Sequence, residues 1–123
     1  MKIEKFEDLL VWQKSRQMVL EIYKITAKFP KSERYNLVDQ INRCVVSVAA
    51  NIAEGFSRYH LKESVLFYRN ARGSLAELKS HLYLSFDLGY INNVTLDRLL
   101  SNIDEIGKML NGLINSTRRF RVS

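Results

Sequence analysis

The chain of 123 residues contains one cysteine, one proline, two histidines and no long hydrophobic run. A single thiol, Cys44, excludes an internal disulfide and fits a reducing compartment. With only Pro30 and five glycines there is no Pro/Gly/Ser-rich linker, so one domain over residues 1–123 is expected. Between Met1 and Leu10, charges at Lys2, Glu4, Lys5, Glu7 and Asp8 break up any apolar signal-peptide core. No stretch approaches the about 20 apolar residues that span a bilayer. A cytoplasmic protein with no membrane association is therefore expected, and the sequons at Asn93 and Asn115 carry no weight.

Signals for chemistry are equally sparse. Di-iron four-helix proteins place Glu-x-x-His pairs on two helices, whereas here only Glu77 and His81 approach that pattern, four residues apart. There is no Gly-rich phosphate loop, no cysteine cluster and no His-Glu-x-x-His. Cys44 falls in an apolar stripe and reads as an inert core thiol. The expectation is a protein that is not an enzyme, with no cofactor, no metal and no catalytic residue.

What the chain does have is helical periodicity. Breaks at Phe29-Pro30-Lys31-Ser32, Glu54-Gly55-Phe56-Ser57 and Gly89-Tyr90-Ile91-Asn92-Asn93 delimit four segments, predicted as helices over about 8–29, 33–54, 61–88 and 94–117. The first carries Val11, Ser15, Met18, Ile22, Ile25 and Phe29 as its seam, and the second Leu37, Ile41, Cys44, Val45, Val48 and Ile52. Leu61, Tyr68, Ala71, Leu75, Leu78 and Leu82 line the third, and Leu96, Leu99, Ile103, Ile106, Leu110, Leu113 and Ile114 the fourth. Gly55 and Gly89 read as C-terminal caps and Asn93 as an N-cap. Short connections between long helices predict an all-α, up-down-up-down four-helix bundle.

A monomeric bundle needs one buried stripe per helix. The first three segments carry a second apolar arc, with Trp12, Leu20 and Tyr23 on the first, Val46 and Ala50 on the second, and Leu66 and Leu84 on the third. Trp12, Leu20, Tyr23, Leu66 and Leu84 are therefore candidate contacts in a homo-oligomer. Beside the second seam, Gln40, Arg43, Ser47, Asn51 and Glu54 recur at steps of three and four, with Ser74 and Glu77 available on the third segment. These read as a structural polar network rather than a ligand site. Gly73, within the third segment, reads as a position of close helix approach.

The net charge is +6. The fourth segment, with Arg98 and Lys108 against Asp97, Asp104 and Glu105, holds −1, so +7 lies elsewhere. It concentrates at Lys14, Lys24 and Lys28, at Arg58, Lys62, Arg69 and Arg72, and at Arg118, Arg119 and Arg121. These are the candidate nucleic-acid-binding residues, acting on phosphates rather than base edges.

A resemblance sharpens this reading. Phe6-x-Asp8-Leu9-x-Val11-Trp12-Gln13, Phe29-Pro30, Gln40-Ile41-x-Arg43, Ser47-Val48-x-x-Asn51-Ile52-Ala53-Glu54-Gly55, Ala71-Arg72-Gly73-Ser74-Leu75-x-Glu77-Leu78 and Leu88-Gly89-Tyr90-Ile91 cover nearly the whole chain. Together they resemble the bacterial four-helix-bundle proteins encoded within intervening sequences of large-subunit ribosomal RNA genes, also labelled ribosomal-protein-like. Cys44-Val45-Val46 departs from the small residues more usual there. The resemblance implies a left-handed bundle and a ring-shaped homo-oligomer, a homopentamer. More distantly, the chain is similar to accessory proteins of diversity-generating retroelements, which form basic barrels. The leading expectation is a nonenzymatic oligomer that binds RNA or structured DNA. The alternative is a ring-shaped scaffold that recruits another protein.

Overall fold

A computed structural model of the chain describes residues 3–122, with side chains described through Arg119. Apolar stripes at helical spacing build four helices: α1 (Leu10–Thr26), α2 (Leu37–Phe56), α3 (Leu61–Asp87) and α4 (Asn93–Val122). Two 3-10 turns, Phe6–Asp8 and Lys31–Glu33, precede α1 and α2, and no strand occurs among the described residues. No described helix is long and apolar enough to cross a membrane.

Side-chain pairs fix the register. Ser47 meets Ser74 between α2 and α3, and Arg72 meets Asn111 and Lys79 meets Asp104 between α3 and α4. Lys14 meets Glu105 and Glu21 meets Arg98 between α1 and α4, while Thr26 donates to Asn42 from α1 to α2. The paired numbers rise on one helix as they fall on the other, so neighbouring helices run antiparallel in up-down-up-down order. The core consists of their facing stripes. Ile22, Ile41, Ile52, Leu78, Leu99 and Leu110 are fully buried, each contributing about 1.5–3 kcal/mol from burial.

The helix ends differ from the sequence expectation for local reasons. The end of α1 tightens into i→i−3 bonds, Lys28 to Ile25 and Phe29 to Thr26, before the extended Pro30. Thr26, one regular turn after Ile22, takes the core position and Ile25 is half-buried. At the start of α2, Asn36 breaks the helical geometry, so α2 begins at Leu37 rather than near Glu33. Gly55 is not a cap: α2 runs through it to Phe56. Asn92, not Asn93, caps α4, its side chain accepting from the Thr95 amide at 2.8 Å. Leu61 lies at the exposed start of α3, while Val65 takes the buried position. Gly89 does terminate α3. At φ +82 it closes a Schellman motif in which Tyr90 N–H reaches Ser85 O and Gly89 N–H reaches Phe86 O. By contrast, α3 opens at His60 with no side-chain cap.

One end of the bundle gathers the α1–α2 and α3–α4 connections. There the Tyr90 ring packs against Phe29, tilted by 50° with ring centroids 5.2 Å apart, and its hydroxyl donates to Glu33 at 2.7 Å. That hydrogen bond pushes the Tyr90 pKa up. The opposite end gathers the start of α1, the α2–α3 turn and the end of α4.

Candidate nucleic-acid interface

The register divides the candidate cations into groups. Lys24 in the last turn of α1 and Lys28 just past it are exposed, near the Phe29–Tyr90 contact. Lys14 is engaged by Glu105 at 2.6 Å, an exposed acidic partner on α4, and does not join an open basic face. The others lie toward the α2–α3 turn.

Lys62, Arg69 and Arg72 recur at steps of seven and three, which puts them on one face of α3. Arg72 identifies that face: its guanidinium donates to Asn111 Oδ1 at 2.9 Å, so the three residues border α4. On α4, Asn111, Asn115 and Arg118 follow at steps of four and three along the facing edge. The same antiparallel register brings Arg118 and Arg119 level with the first two turns of α3. The tail expected after residue 117 is instead helical through Val122. Arg118 and Arg119 are therefore presented from a helix, and the Arg121 side chain lies outside the described side chains.

The turn itself adds Arg58, which pairs with Glu54 at 3.6 Å and lies 4.5 Å above the Phe67 ring. Next to it, Tyr59 is 90% exposed and meets His60 edge-on. Sequence reasoning passed over Tyr59. The visible signal was an aromatic residue between Arg58 and Lys62 in a helix-breaking turn. Cations with an exposed ring suit a single-stranded polyanion, whose phosphates pair with the charges while a base stacks on the ring.

The polar arc of α2 separates into three parts. Ser47 Oγ and Ser74 Oγ are 2.9 Å apart, and the Asn51 amide donates to Ser47 O and Oγ at 2.8 and 3.0 Å, forming a half-buried link between α2 and α3. Gln40, Arg43 and Glu54 are not in it. Among the described residues the Gln40 side chain reaches Asn36, Arg43 pairs with Asp39 along its own exposed helix face, and Glu54 pairs with Arg58. Their positions around α2 turn them past the α3 contact and into water. Glu77 joins neither set. It accepts a hydrogen bond from the buried Cys44 thiol and stands 3.9 Å from His81 Nε2. Burial, then the Glu77 hydrogen bond, pushes the Cys44 pKa up to about 12.

The candidate assembly residues are placed on the surface. Leu20, Tyr23, Leu66 and Leu84 are 61%, 47%, 57% and 49% exposed. Trp12 is half-buried, packed edge-on against Phe6 at 5.0 Å. Trp12, Leu20, Val46 and Ala50 line an open apolar groove of about 380 Å³ between α1 and α2, flanked by Arg16. Leu66 and Leu84 lie five helical turns apart on an exposed face of α3 that also carries Gly73. No atom lies within 4 Å of a Cβ built on Gly73, so within one chain this glycine permits no close approach.

No curated protein matches the chain. Among solved structures, it is similar to a protein of unknown function from the S23 ribosomal protein family of Bacteroides thetaiotaomicron. The TM-score is 0.80 at 21% identity, covering 86% of this chain and 96% of that one, a likeness of fold. The family model for the 23S rRNA-intervening sequence protein matches residues 7–112, nearly the whole bundle from the first 3-10 turn into the second half of α4. The chain belongs to the 23S rRNA-intervening sequence protein family.

Proposed function

We propose that the chain is a nonenzymatic, oligomeric nucleic-acid-binding protein that holds RNA or structured DNA against the α2–α3 end of its bundle. The observation that carries this reading is the gathering of Arg58, Lys62, Arg69 and Arg118 at one end, beside the exposed ring of Tyr59. Phosphate contacts of this kind confer broad sequence tolerance. Assembly of several copies into a ring, a pentamer in the form the family resemblance implies, repeats the basic end around an axis and multiplies weak contacts. The exposed arcs at Leu20, Tyr23, Leu66 and Leu84 supply apolar surface for that assembly.

Fluorescence-anisotropy titration with single-stranded RNA and duplex DNA tests the reading. Binding should weaken by orders of magnitude between low and physiological salt. The double substitution Lys62→Glu with Arg69→Glu should weaken it far more than Lys24→Glu with Lys28→Glu at the opposite end. Light scattering in the same samples should give a homo-oligomer for wild type, and Leu66→Asp or Leu84→Asp should dissociate it with helicity retained. A wild-type monomer at micromolar concentration defeats the assembly reading.

The groove between α1 and α2 supports a second reading, a scaffold that recruits another protein. Absence of nucleic-acid binding at 50 mM salt, or equal effects of the two charge reversals, favours the scaffold.

A further inference from the structure

The geometry points to a metal site that the nucleic-acid reading does not use: Cys44, Glu77 and His81 bind one zinc-class divalent cation between α2 and α3. One donor atom from each residue lies within 4.8 Å of the other two. Glu77 and His81 are four apart on α3, one turn along the same face, and His81 Nε2 is 3.9 Å from Glu77 Oε2. Cys44 enters from α2, 3% exposed, with its sulfur against Glu77 Oε2. The Ser47–Ser74 contact, one turn away on both helices, holds the two backbones in register at this level.

Three observations set this cluster apart from an ordinary surface ion pair. Its donors are a thiol, an imidazole and a carboxylate, the set that zinc takes at about 2.0–2.3 Å in tetrahedral sites. Such a site needs donors roughly 3–4 Å from one another. The Glu77 oxygen already stands close to both partners, so the adjustment is a turn of the exposed Glu77 side chain away from the sulfur and a closing of the Cys44–His81 separation. Second, the His81 side chain is only 14% exposed, and its Nδ1 is the buried side-chain atom left without a hydrogen-bond partner among the described residues. Third, Glu77 finds no lysine or arginine among the described residues; its ion-pair partner is His81. One thiolate and one carboxylate together balance a divalent charge, so the loaded site is neutral where it is partly buried. On binding, the Cys44 sulfur loses its proton to the buffer and donates a lone pair to the cation. The neutral imidazole and the Glu77 carboxylate donate lone pairs, and water from the exposed Glu77 side fills the fourth position. The ion ties α2 to α3 at mid-height, away from the basic end.

The test uses the full chain without an affinity tag, freed of metal by a chelator. Zinc titrated in calorimetrically should bind once per chain with proton release and raise the melting temperature, and magnesium should do neither. Cobalt(II) should give thiolate-to-metal charge-transfer absorption. Because Cys44 is the chain's one cysteine, that band has a single source. Cys44→Ser, Glu77→Gln and His81→Gln should each weaken zinc binding by about 100-fold or more, and Cys44→Ser should abolish the band. Zinc binding that persists unchanged in Cys44→Ser and His81→Gln overturns the site. Should a variant fail to fold, the wild-type cobalt spectrum decides, because a spectrum with no thiolate band overturns the site by itself.

Discussion

Gly55 on α2 lies so close to Tyr68 on α3 that a Cβ added to the glycine would stand 2.6 Å from Tyr68 Cε1. Tyr68 is 2% exposed and has no room to retreat. Gly55→Ala therefore sets a helix-propensity gain of up to about 1 kcal/mol against an overpacking penalty of about 1–3 kcal/mol. The expected result is a lower denaturation midpoint. Gly73→Ala is the counterpart. Its Cβ meets open space in mid-helix, so stability should rise by about 0.5–1 kcal/mol. Urea unfolding of both variants checks the opposite signs. A Gly73→Ala variant that instead falls apart into monomers would place another copy of the chain against that face of α3.

The metal-free protein should lose stability on the alkaline side. Burial and the Glu77 hydrogen bond raise the Cys44 pKa from 9.0 to about 12, and burial raises Tyr68 from 10.0 to about 12. Both groups hold their protons more tightly folded than unfolded. Their contribution is therefore complete below pH 9 and is lost as pH climbs toward 12. Each group fully titrated in the unfolded state alone gives a slope of at most about 1.4 kcal/mol per pH unit. Denaturation in chelator at pH 8, 9 and 10 should show the decline beginning above pH 9, and Cys44→Ala should delay its onset to the tyrosine range.

Asn51→Leu should destabilise the protein by about 1–3 kcal/mol, since Ser47 loses a donor where α2 meets α3. Glu54→Ala should change stability by less than about 0.5 kcal/mol, because the Glu54–Arg58 pair is solvent-exposed and four apart on one chain segment. Thermal denaturation of the two variants separates a buried link from a surface pair that the α2 sequence places on the same arc.

Tyr59→Ala should reduce affinity for single-stranded RNA by roughly ten- to hundred-fold, the scale of one stacked base. The same change should leave duplex DNA affinity nearly unaltered, since a duplex keeps its bases stacked internally. Anisotropy titrations at a single low salt concentration compare the two ligands directly.

Much of the fold was legible because burial follows a period that the sequence displays. Val11, Met18 and Ile22 on α1, or Leu99, Ile103 and Ile106 on α4, announce their face by spacing alone. Errors arose where one residue type serves two purposes. A glycine ending an apolar run looks the same whether it caps a helix, as Gly89 does, or admits a neighbouring ring, as Gly55 does. The polar arc on α2 misled for a related reason. Steps of three and four put Arg43 and Asn51 on neighbouring rows, but only the register against α3 decides which row is covered. The Cys44–Glu77–His81 cluster needed that register too. Its Glu77–His81 half was visible in sequence; its sulfur, 33 positions away, was not.

The absence of a side-chain cap at His60 shapes the field at the basic end. Here α3 begins and α4 ends, so two helix dipoles meet with opposite poles. The uncapped first turn of α3 presents free amide N–H groups, equivalent to about half a positive charge. The terminal carbonyls of α4 carry the reverse, and Arg118 and Arg119 sit in its last turns to offset them. What survives the cancellation is the pole of α3, adding to Lys62 and Arg58. An anion drawn to this end is thus guided by backbone amides as well as side chains, and some residual attraction should outlast the loss of Arg58 and Lys62 while Arg118 and Arg119 still offset the α4 carbonyls.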